Sequence, residues 1–374
     1  MLRSLLVLLL CVPLVAVADA PPAPPPIAAR SWLLVDFASG QPIVGHNADE
    51  HVEPASLTKL MAAYLVFEAL QKKTISLAQT VNVSKRAWKV GGSRMFIEPR
   101  KPVTVEELLY GVIVESGNDA TIALAELLAG SEDIFAQMMN REAQRLGLKE
   151  THFTNATGLP DPQHYATARD LATLTAALIR DYPEGYALYS TKEYRYNNIT
   201  QPNRNRLLWI DPNVDGVKTG HTEVAGYCLI ASARRGERRL ISVVLGADSE
   251  AARAQESLRL LNYGFQFYDS VRLYEKGQQV GTVRVWKGAA NQLKAGVADD
   301  IRLVLPRGDA QKLKGDFVSE QPLLAPVSAG QKVGVITVSL EGKPLGEYPV
   351  VALENVPVAG IFGRMSDTIR LWWK

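Results

Sequence analysis

From Leu60 to Leu70 the chain reads Leu-Met-Ala-Ala-Tyr-Leu-Val-Phe-Glu-Ala-Leu, apolar nearly all round a helical wheel. A helix of that kind is buried in a core rather than laid on a surface, and Pro54 just ahead of it marks the start. Shorter apolar runs, Trp32–Phe37 and Ile43–His46, flank the turn-forming residues 38–42 and predict a β-hairpin. Helical periodicity returns over Val103–Ala129, broken around Glu115-Ser116-Gly117-Asn118, and again over Ile134–Leu146 and Thr167–Ile179. Beyond it, a strand starts near Asp215 and an apolar, β-branched strand pair follows over Gly226–Arg234 and Arg239–Gly246. A last helix covers Glu250–Tyr268. Strands at both ends with helices between them predict an α+β domain over 30–269, an antiparallel sheet with helices packed on it.

After Val271 the texture changes to short alternating runs between Gly and Pro turns, such as Val280–Trp286, Ile301–Leu305 and Val333–Val338. That pattern predicts a small all-β sandwich over 270–357 with no titratable cluster. In the tail, 358–374, Val358, Ile361, Phe362, Met365, Ile369 and Trp372 share one helical face, with Arg364, Asp367, Arg370 and Lys374 elsewhere. Trp372, Trp373 and the cations suit an amphipathic helix lying on a membrane surface; a helix docked on the β domain is the plainer alternative. At the other end, Arg3, the apolar Leu5–Val17 and the small residues of Ala16–Ala20 read as a signal peptide over 1–20, too short to span a bilayer. A proline-rich linker, 21–29, comes next.

A length of 374 residues and a hydrophobic content of 47% allow two or three domains with ample cores. A net charge of +2, with no basic stripe interleaved with aromatics, excludes nucleic acid as the expected partner. Without the signal only Cys228 remains, so no internal disulfide is expected, and its apolar surroundings mark an inert core thiol.

The candidate chemistry begins at the helix start. Ser56 and Lys59 stand three residues apart and so share one helical face. Burial favours the neutral amine of a lysine, and a neutral amine can take the proton of a neighbouring hydroxyl. The helix N-terminus favours negative charge developing there. This is the only Ser-x-x-Lys in the chain; 60 residues on comes Ser116-Gly117-Asn118, and 102 beyond that Lys218-Thr219-Gly220. Together the motifs supply a nucleophile, a base, a proton shuttle and an anion clamp. A zinc hydrolase has no support: the histidines at 46, 51, 152, 164 and 221 form no His-x-x-x-His pair, and no metal or other cofactor is implied.

The ordered trio resembles that of penicillin-binding proteins and class A β-lactamases. Over essentially its whole length the chain is similar to the low-molecular-mass penicillin-binding proteins, the serine-type D-alanyl-D-alanine carboxypeptidases of type five. The segments Gln201–Asn205 and Asn213–Thr222 carry that likeness too. The resemblance implies a penicillin-recognising, serine β-lactamase-like transpeptidase fold followed by a C-terminal β domain. It implies removal of the terminal D-alanine from peptidoglycan stem peptides, acylation by β-lactam antibiotics, and peripheral attachment on the periplasmic side of the inner membrane. Residue by residue, Ser56 would be acylated, Lys59 would accept its proton, and Ser116 would pass a proton to the leaving amine. Asn118 would hold the peptide carbonyl and the Lys59 amine; Lys218 and Thr219 would bind the terminal carboxylate, and Arg204 could assist there or form a surface salt bridge. Gly220 would let the substrate approach the strand, and the Ser56 and His221 N–H groups would form an oxyanion hole. His221 could pair with Asp170, or Asp170 could cap the helix behind it, and Gly91–Arg94 would form a mobile loop. A β-lactamase would need a deacylating glutamate, and Asn155–Asp170 contains none. A non-catalytic wall-binding scaffold would leave the trio without purpose.

Overall fold

The structure, a computed structural model, describes residues 21–372, so the signal peptide expected over 1–20 lies outside the described residues. The chain divides into two compact units, one formed by 23–278 with 297–304, the other including 279–296 and 305–372.

In the first unit, β1 (Ser31–Asp36) and β2 (Pro42–His46) form the expected hairpin, with Leu33 opposite Gly45. A 3-10 turn, Ala55–Thr58, runs directly into α1 (Lys59–Gln71). The α-helix therefore starts later than Ser56. It has no side-chain cap; the preceding turn satisfies backbone donors instead, Leu57 N–H donating to Pro54 O. Strands β3 (Thr80–Val81) and β4 (Val103–Thr104) pair across the short α2 (Lys85–Lys89). Each of the next helices starts from a local cap or a turn. Thr104 and Glu107 form a capping box on α3 (Val105–Ile113), and Gly117 precedes α4 (Asn118–Ala129). Ser131 caps α5 (Glu132–Arg145) and Thr167 caps α6 (Ala168–Asp181). The short α7 (Pro183–Tyr186), the hairpin β5 (Glu193–Tyr196) and β6 (Ile199–Pro202), and α8 (Leu207–Ile210) lack a long period. Sequence pattern does not reveal them. Strands β7 (Val214–Thr222), β8 (Gly226–Arg235) and β9 (Arg238–Ala247) follow, then α9 (Glu250–Phe267), which Ser249 caps, and β10 (Tyr268–Tyr274).

The main sheet has the order β2-β1-β9-β8-β7 and is antiparallel throughout, built from both ends of the unit as the pattern predicts. It is buried on both faces. Leu33, Val35, Ile230, Ile241 and Val243 face a core shared with α1, α3, α4 and α6. Trp32, Leu34, Leu229 and Val244 face a second core closed by Leu260 and Leu261 of α9. Double burial explains why these strands read as continuous apolar runs. Cys228 belongs to the first core, and burial pushes its thiol up to about 11, as suits an inert core thiol. Strand β7 stands at the sheet edge, which leaves part of its backbone free to face a ligand.

The second unit is all-β apart from its last helix. Its strands are β11 (Gln279–Trp286), β12 (Gln292–Val297), β14 (Leu313–Ser319), β15 (Leu323–Leu324), β16 (Lys332–Leu340) and β17 (Lys343–Ala352). They make one sheet of order β14-β16-β17-β12-β11-β15; the intervening β13 (Ile301–Pro306), most of which belongs to the first unit, pairs there with β10. Since Val297–Val304 belongs with the first unit, the change of texture at Val271 comes before the chain enters the second one at Gln279. The unit ends in α10 (Ile361–Trp372).

The second core predicts a clean separation of stability from chemistry. Leu260→Ala empties a fully buried site and should cost about 2–5 kcal/mol. A lowered melting temperature, with Ser56 chemistry intact at low temperature, is the expected result of calorimetry and activity measurements on the variant.

Candidate active site

At the base of a cleft of about 430 Å³ lined by Ser56, Ser116, Arg204, Thr219, Gly220 and His221, the three motifs meet. Lys59 Nζ lies 2.9 Å from Ser56 Oγ and donates to Thr157 O at 2.7 Å. Lys218 Nζ donates to Ser116 Oγ at 2.9 Å and to Thr219 O at 3.0 Å. Residues 102 positions apart in sequence are thus joined by one hydrogen bond.

Lys59 is 1% exposed, at the first position of a helix buried on every side. Desolvation, and after it the charge of Arg204, lowers its amine to about 7, against the opposing pull of Asp119 and Glu132. Lys218 is also held well below the usual lysine range, by burial first and then by Lys59, Arg204 and Arg253. An arriving carboxylate reverses the sign of that field and favours the protonated amine.

The nucleophile turn is clamped from the far side. Asn155 Oδ1 accepts from the N–H groups of Thr157, Gly158 and Leu159 at 3.1, 2.8 and 3.2 Å, which folds the chain so that the Thr157 carbonyl faces Lys59. Gly158 has a positive φ of 79°, and a Cβ there would stand 1.8 Å from Ala55 O, so no larger residue permits this approach. His164, buried, has Nδ1 facing the Thr154 N–H at 3.1 Å and Nε2 2.8 Å from Thr58 Oγ1. The backbone N–H can only donate, so Nδ1 accepts and Nε2 carries the proton toward Thr58. Thr157, Asn155 and His164 are absent from the motifs; only the Asn155-x-x-Gly158 turn signal hints at them.

Several expectations change. Asn118 makes no hydrogen bond to Lys59: its Nδ2 donates to Gly91 O at 2.8 Å and its N–H to Ser93 O at 2.7 Å. Those bonds, with Met95 N–H to Asp119 at 3.0 Å and Gln201 Nε2 to Arg94 O at 3.0 Å, tie down the 91–94 loop expected to be mobile. At Gly220 a Cβ would meet Pro54 O at 3.0 Å and Ala55 Cβ at 3.2 Å. The glycine thus admits the nucleophile turn against β7, and it also lines the cleft. His221 is exposed and its ring lies 4.1 Å from that of Tyr227, while Asp170 accepts from Glu150 N–H and Thr151 Oγ1, both at 2.8 Å. No His221–Asp170 pair forms among the described residues. Arg204 is exposed at the cleft, whereas Lys218 sits behind Ser116 and Thr219. Arg253, buried on α9, donates to Gly220 O at 3.3 Å and was not singled out by any motif.

The strain of holding Lys59 uncharged is measurable. Between pH 7 and 10.5 the folded chain binds fewer protons at this site than the unfolded one, so its stability rises with pH there; below pH 7 the penalty is complete. Lys59→Met should therefore melt higher at pH 7, by on the order of 4 kcal/mol before loss of the two hydrogen bonds is subtracted. Thermal denaturation should show the gap closing as pH approaches 10.5.

The comparisons with known proteins agree with this geometry. A family model described as D-alanyl-D-alanine carboxypeptidase matches residues 18–249, and one for the penicillin-binding protein 5 C-terminal domain matches 268–358. The chain is 45% identical to the D-alanyl-D-alanine carboxypeptidase DacC of Escherichia coli (strain K12) over 355 residues, covering 93% of this chain and 89% of that one. Its fold is similar to that of penicillin-binding protein 5 from Haemophilus influenzae, with a TM-score of 0.87, 40% identity, and coverage of 89% of this chain and 99% of the other. Penicillin-binding protein D2 from Listeria monocytogenes, solved in its ampicillin-bound form, matches 64% of this chain and 98% of its own with a TM-score of 0.60 and 30% identity. Ser56 beside a buried amine, Ser116 beside a second one, and these matches place the chain in the family of serine D-alanyl-D-alanine carboxypeptidases.

Proposed function

We propose that this hydrolase removes the terminal D-alanine from peptidoglycan stem peptides through an acyl-enzyme on Ser56. The observation that carries the assignment of roles is the fully buried amine of Lys59, lowered to about 7 by desolvation, 2.9 Å from the Ser56 hydroxyl. Ser56 Oγ attacks the carbonyl carbon of the penultimate D-alanine while its proton passes to Lys59 Nζ. Negative charge builds on the carbonyl oxygen, where the backbone N–H groups of Ser56 and His221 receive it; one such donor is worth about 3 kcal/mol. The C–N bond then breaks, and the leaving amine takes a proton from Ser116, which Lys218 replenishes at 2.9 Å. Lys59 then gives up the proton it took from Ser56 and Lys218 regains the one it lost, so both amines are reset. Water attacks the Ser56 ester, its proton passes to Lys59 and from there to Ser56 Oγ as the ester C–O bond breaks, and the shortened peptide leaves.

Arg204 and Thr219 face the cleft and take the substrate's terminal carboxylate, with Lys218 contributing from behind the wall. Asn118 orients the peptide carbonyl only indirectly, through the 91–93 backbone it fixes. Gly220 supports this arrangement by bringing β7 against the nucleophile turn. β-Lactams acylate the same serine, as the ampicillin-bound relative suggests. Intact-mass analysis after incubation with benzylpenicillin should show one stable adduct that maps to Ser56 and disappears in Ser56→Ala. Turnover of benzylpenicillin many times per second would instead indicate a β-lactamase.

The domains proposed are the catalytic one over 30–269, the β domain over 270–357 and a membrane-surface helix over 358–374, on the periplasmic face of the inner membrane. No described helix is long and apolar enough to cross a membrane. On α10, Phe362 and Trp372 are each 90% exposed, and Ile361, Met365 and Ile369 are exposed beside them. The other edge of the helix is docked, Asp367 accepting from Lys287 N–H at 2.6 Å. Docking and membrane contact are thus compatible, because they use different faces. The full chain should sediment with anionic phospholipid vesicles, and a chain ending at Pro357 should stay in the supernatant.

A further inference from the structure

One buried carboxyl beside the cleft has no part in the chemistry above. Glu115 sits in the turn between α3 and α4, immediately before Ser116, and is 1% exposed. Its Oε2 accepts from Gln201 Nε2 at 2.9 Å, and the same nitrogen donates to Arg94 O at 3.0 Å. Its Oε1 has no partner among the described residues. The side chain is therefore the junction of three segments that border the cleft: the Ser116 turn, β6 and the 91–94 loop.

The charged and titratable groups facing this junction are few. From α4 comes Asp119, already occupied by the N–H groups of Met95, Phe96 and Ile97 at 3.0, 2.8 and 3.2 Å. Just beyond β6 is Arg204, which lines the cleft, and from β5 the phenol of Tyr194, which also feels Glu107 of α3. Burial first, then the charge of Asp119, pushes the Glu115 carboxyl up to about 8, while Arg204 pulls it down. Two carboxyls four residues apart thus differ in their partners: Asp119 accepts from a row of backbone N–H groups, whereas Glu115 accepts from a single side-chain amide.

We propose that Glu115 is a positioning residue working as a neutral acid: protonated, it ties the Ser116 turn to β6 and leaves the Arg204 charge to the substrate carboxylate; ionised, it offsets that charge and weakens substrate binding. The inference rests on the reading of the cleft as the site that holds a terminal carboxylate. Its effect falls on binding, because ionisation changes the charge facing Arg204 while Oε2 remains an acceptor for Gln201, and so holds the Ser116 turn, in either state. Glu115→Gln keeps the shape and an acceptor for Gln201 but removes the proton that can be lost.

The test compares the wild-type chain with Glu115→Gln on a peptide ending in D-Ala-D-Ala between pH 6 and 9.5, with penicillin labelling of Ser56 in both. The ratio of wild-type to variant KM should stay near one below pH 7 and rise at least threefold by pH 9, while the kcat ratio stays flat. Melting temperature supplies a second readout. The folded chain binds the Glu115 proton more tightly than the unfolded one, so wild type loses stability, relative to the variant, as pH rises from about 4.5 to about 8. Glu115→Asp, which still ionises, should keep the rise in KM. Flat KM ratios with parallel melting curves, and Ser56 still labelled, would overturn the inference and leave the site reading standing. Unlabelled Ser56 in wild type would overturn both.

Discussion

An amine that has given up its hydration holds this active site together. Lys59 Nζ is enclosed between the Ser56 hydroxyl at 2.9 Å and the Thr157 carbonyl at 2.7 Å, and water is kept away by a helix apolar on all sides. Desolvation alone would make such a lysine useless as a cation and costly as a neutral group. The carbonyl reduces that cost in both protonation states, because an amine and an ammonium each have N–H to donate. What results is a base near its working point at neutral pH, obtained from burial rather than from a partner acid. The rest of the first unit serves this enclosure: the 3-10 turn delivers Ser56, Gly158 lets the clamp come close, and His164 fixes Thr58 between them.

The same positive field does two jobs. Burial comes first in lowering both lysine amines; after it, Arg204 lowers that of Lys59, and Lys59, Arg204 and Arg253 lower that of Lys218. Before substrate arrives, that field keeps the base uncharged; when a carboxylate enters, the field that depressed the amines becomes the attraction that holds it. Binding and proton affinity are therefore coupled without a moving part. The arrangement also explains why the second lysine can lie behind Ser116 and still matter, since a charge in a poorly hydrated wall acts over several ångströms.

Much of this was legible in the chain. The apolar run after Lys59 reports burial directly, the caps Thr104, Ser131, Thr167 and Ser249 mark helix starts, and doubly apolar strands announce a sheet covered on both faces. Side chains with distinctive chemistry, Ser56, Lys59, Ser116 and Lys218, could be found by spacing and are brought together. Backbone groups could not: the Thr157 carbonyl has no residue signature, since any amino acid supplies one. Periodicity assigns residues to faces of elements but sets no distances between elements. That is why Gly220 can be recognised as a place of close approach while Pro54 O and the Ala55 side chain, which crowd it from the nucleophile turn, cannot be named from the sequence. The contacts Asn118 makes instead of one to Lys59 are hidden for a related reason, because the acceptor of its Nδ2, Gly91 O, lies 27 residues away on a loop without a period.

The tail poses the opposite problem, of an apolar face left outside. A helix as short as α10 gains little from its own hydrogen bonds and normally persists by burying its apolar stripe. Here the stripe of Ile361, Phe362, Met365, Ile369 and Trp372 stays exposed, and a carboxylate does the docking instead. Asp367 meets the Lys287 N–H, whose residue has a positive φ of 59° and so presents a donor that no neighbouring strand uses, while Ala359 N–H returns to Lys287 O at 2.8 Å. Polar docking of this sort fixes which way the apolar face points without consuming it. A tail attached through its apolar residues would bury them all against the β domain, whereas here Phe362 and Trp372 stand almost fully free and Ile361, Met365 and Ile369 only border a groove with Lys287 and Ala325.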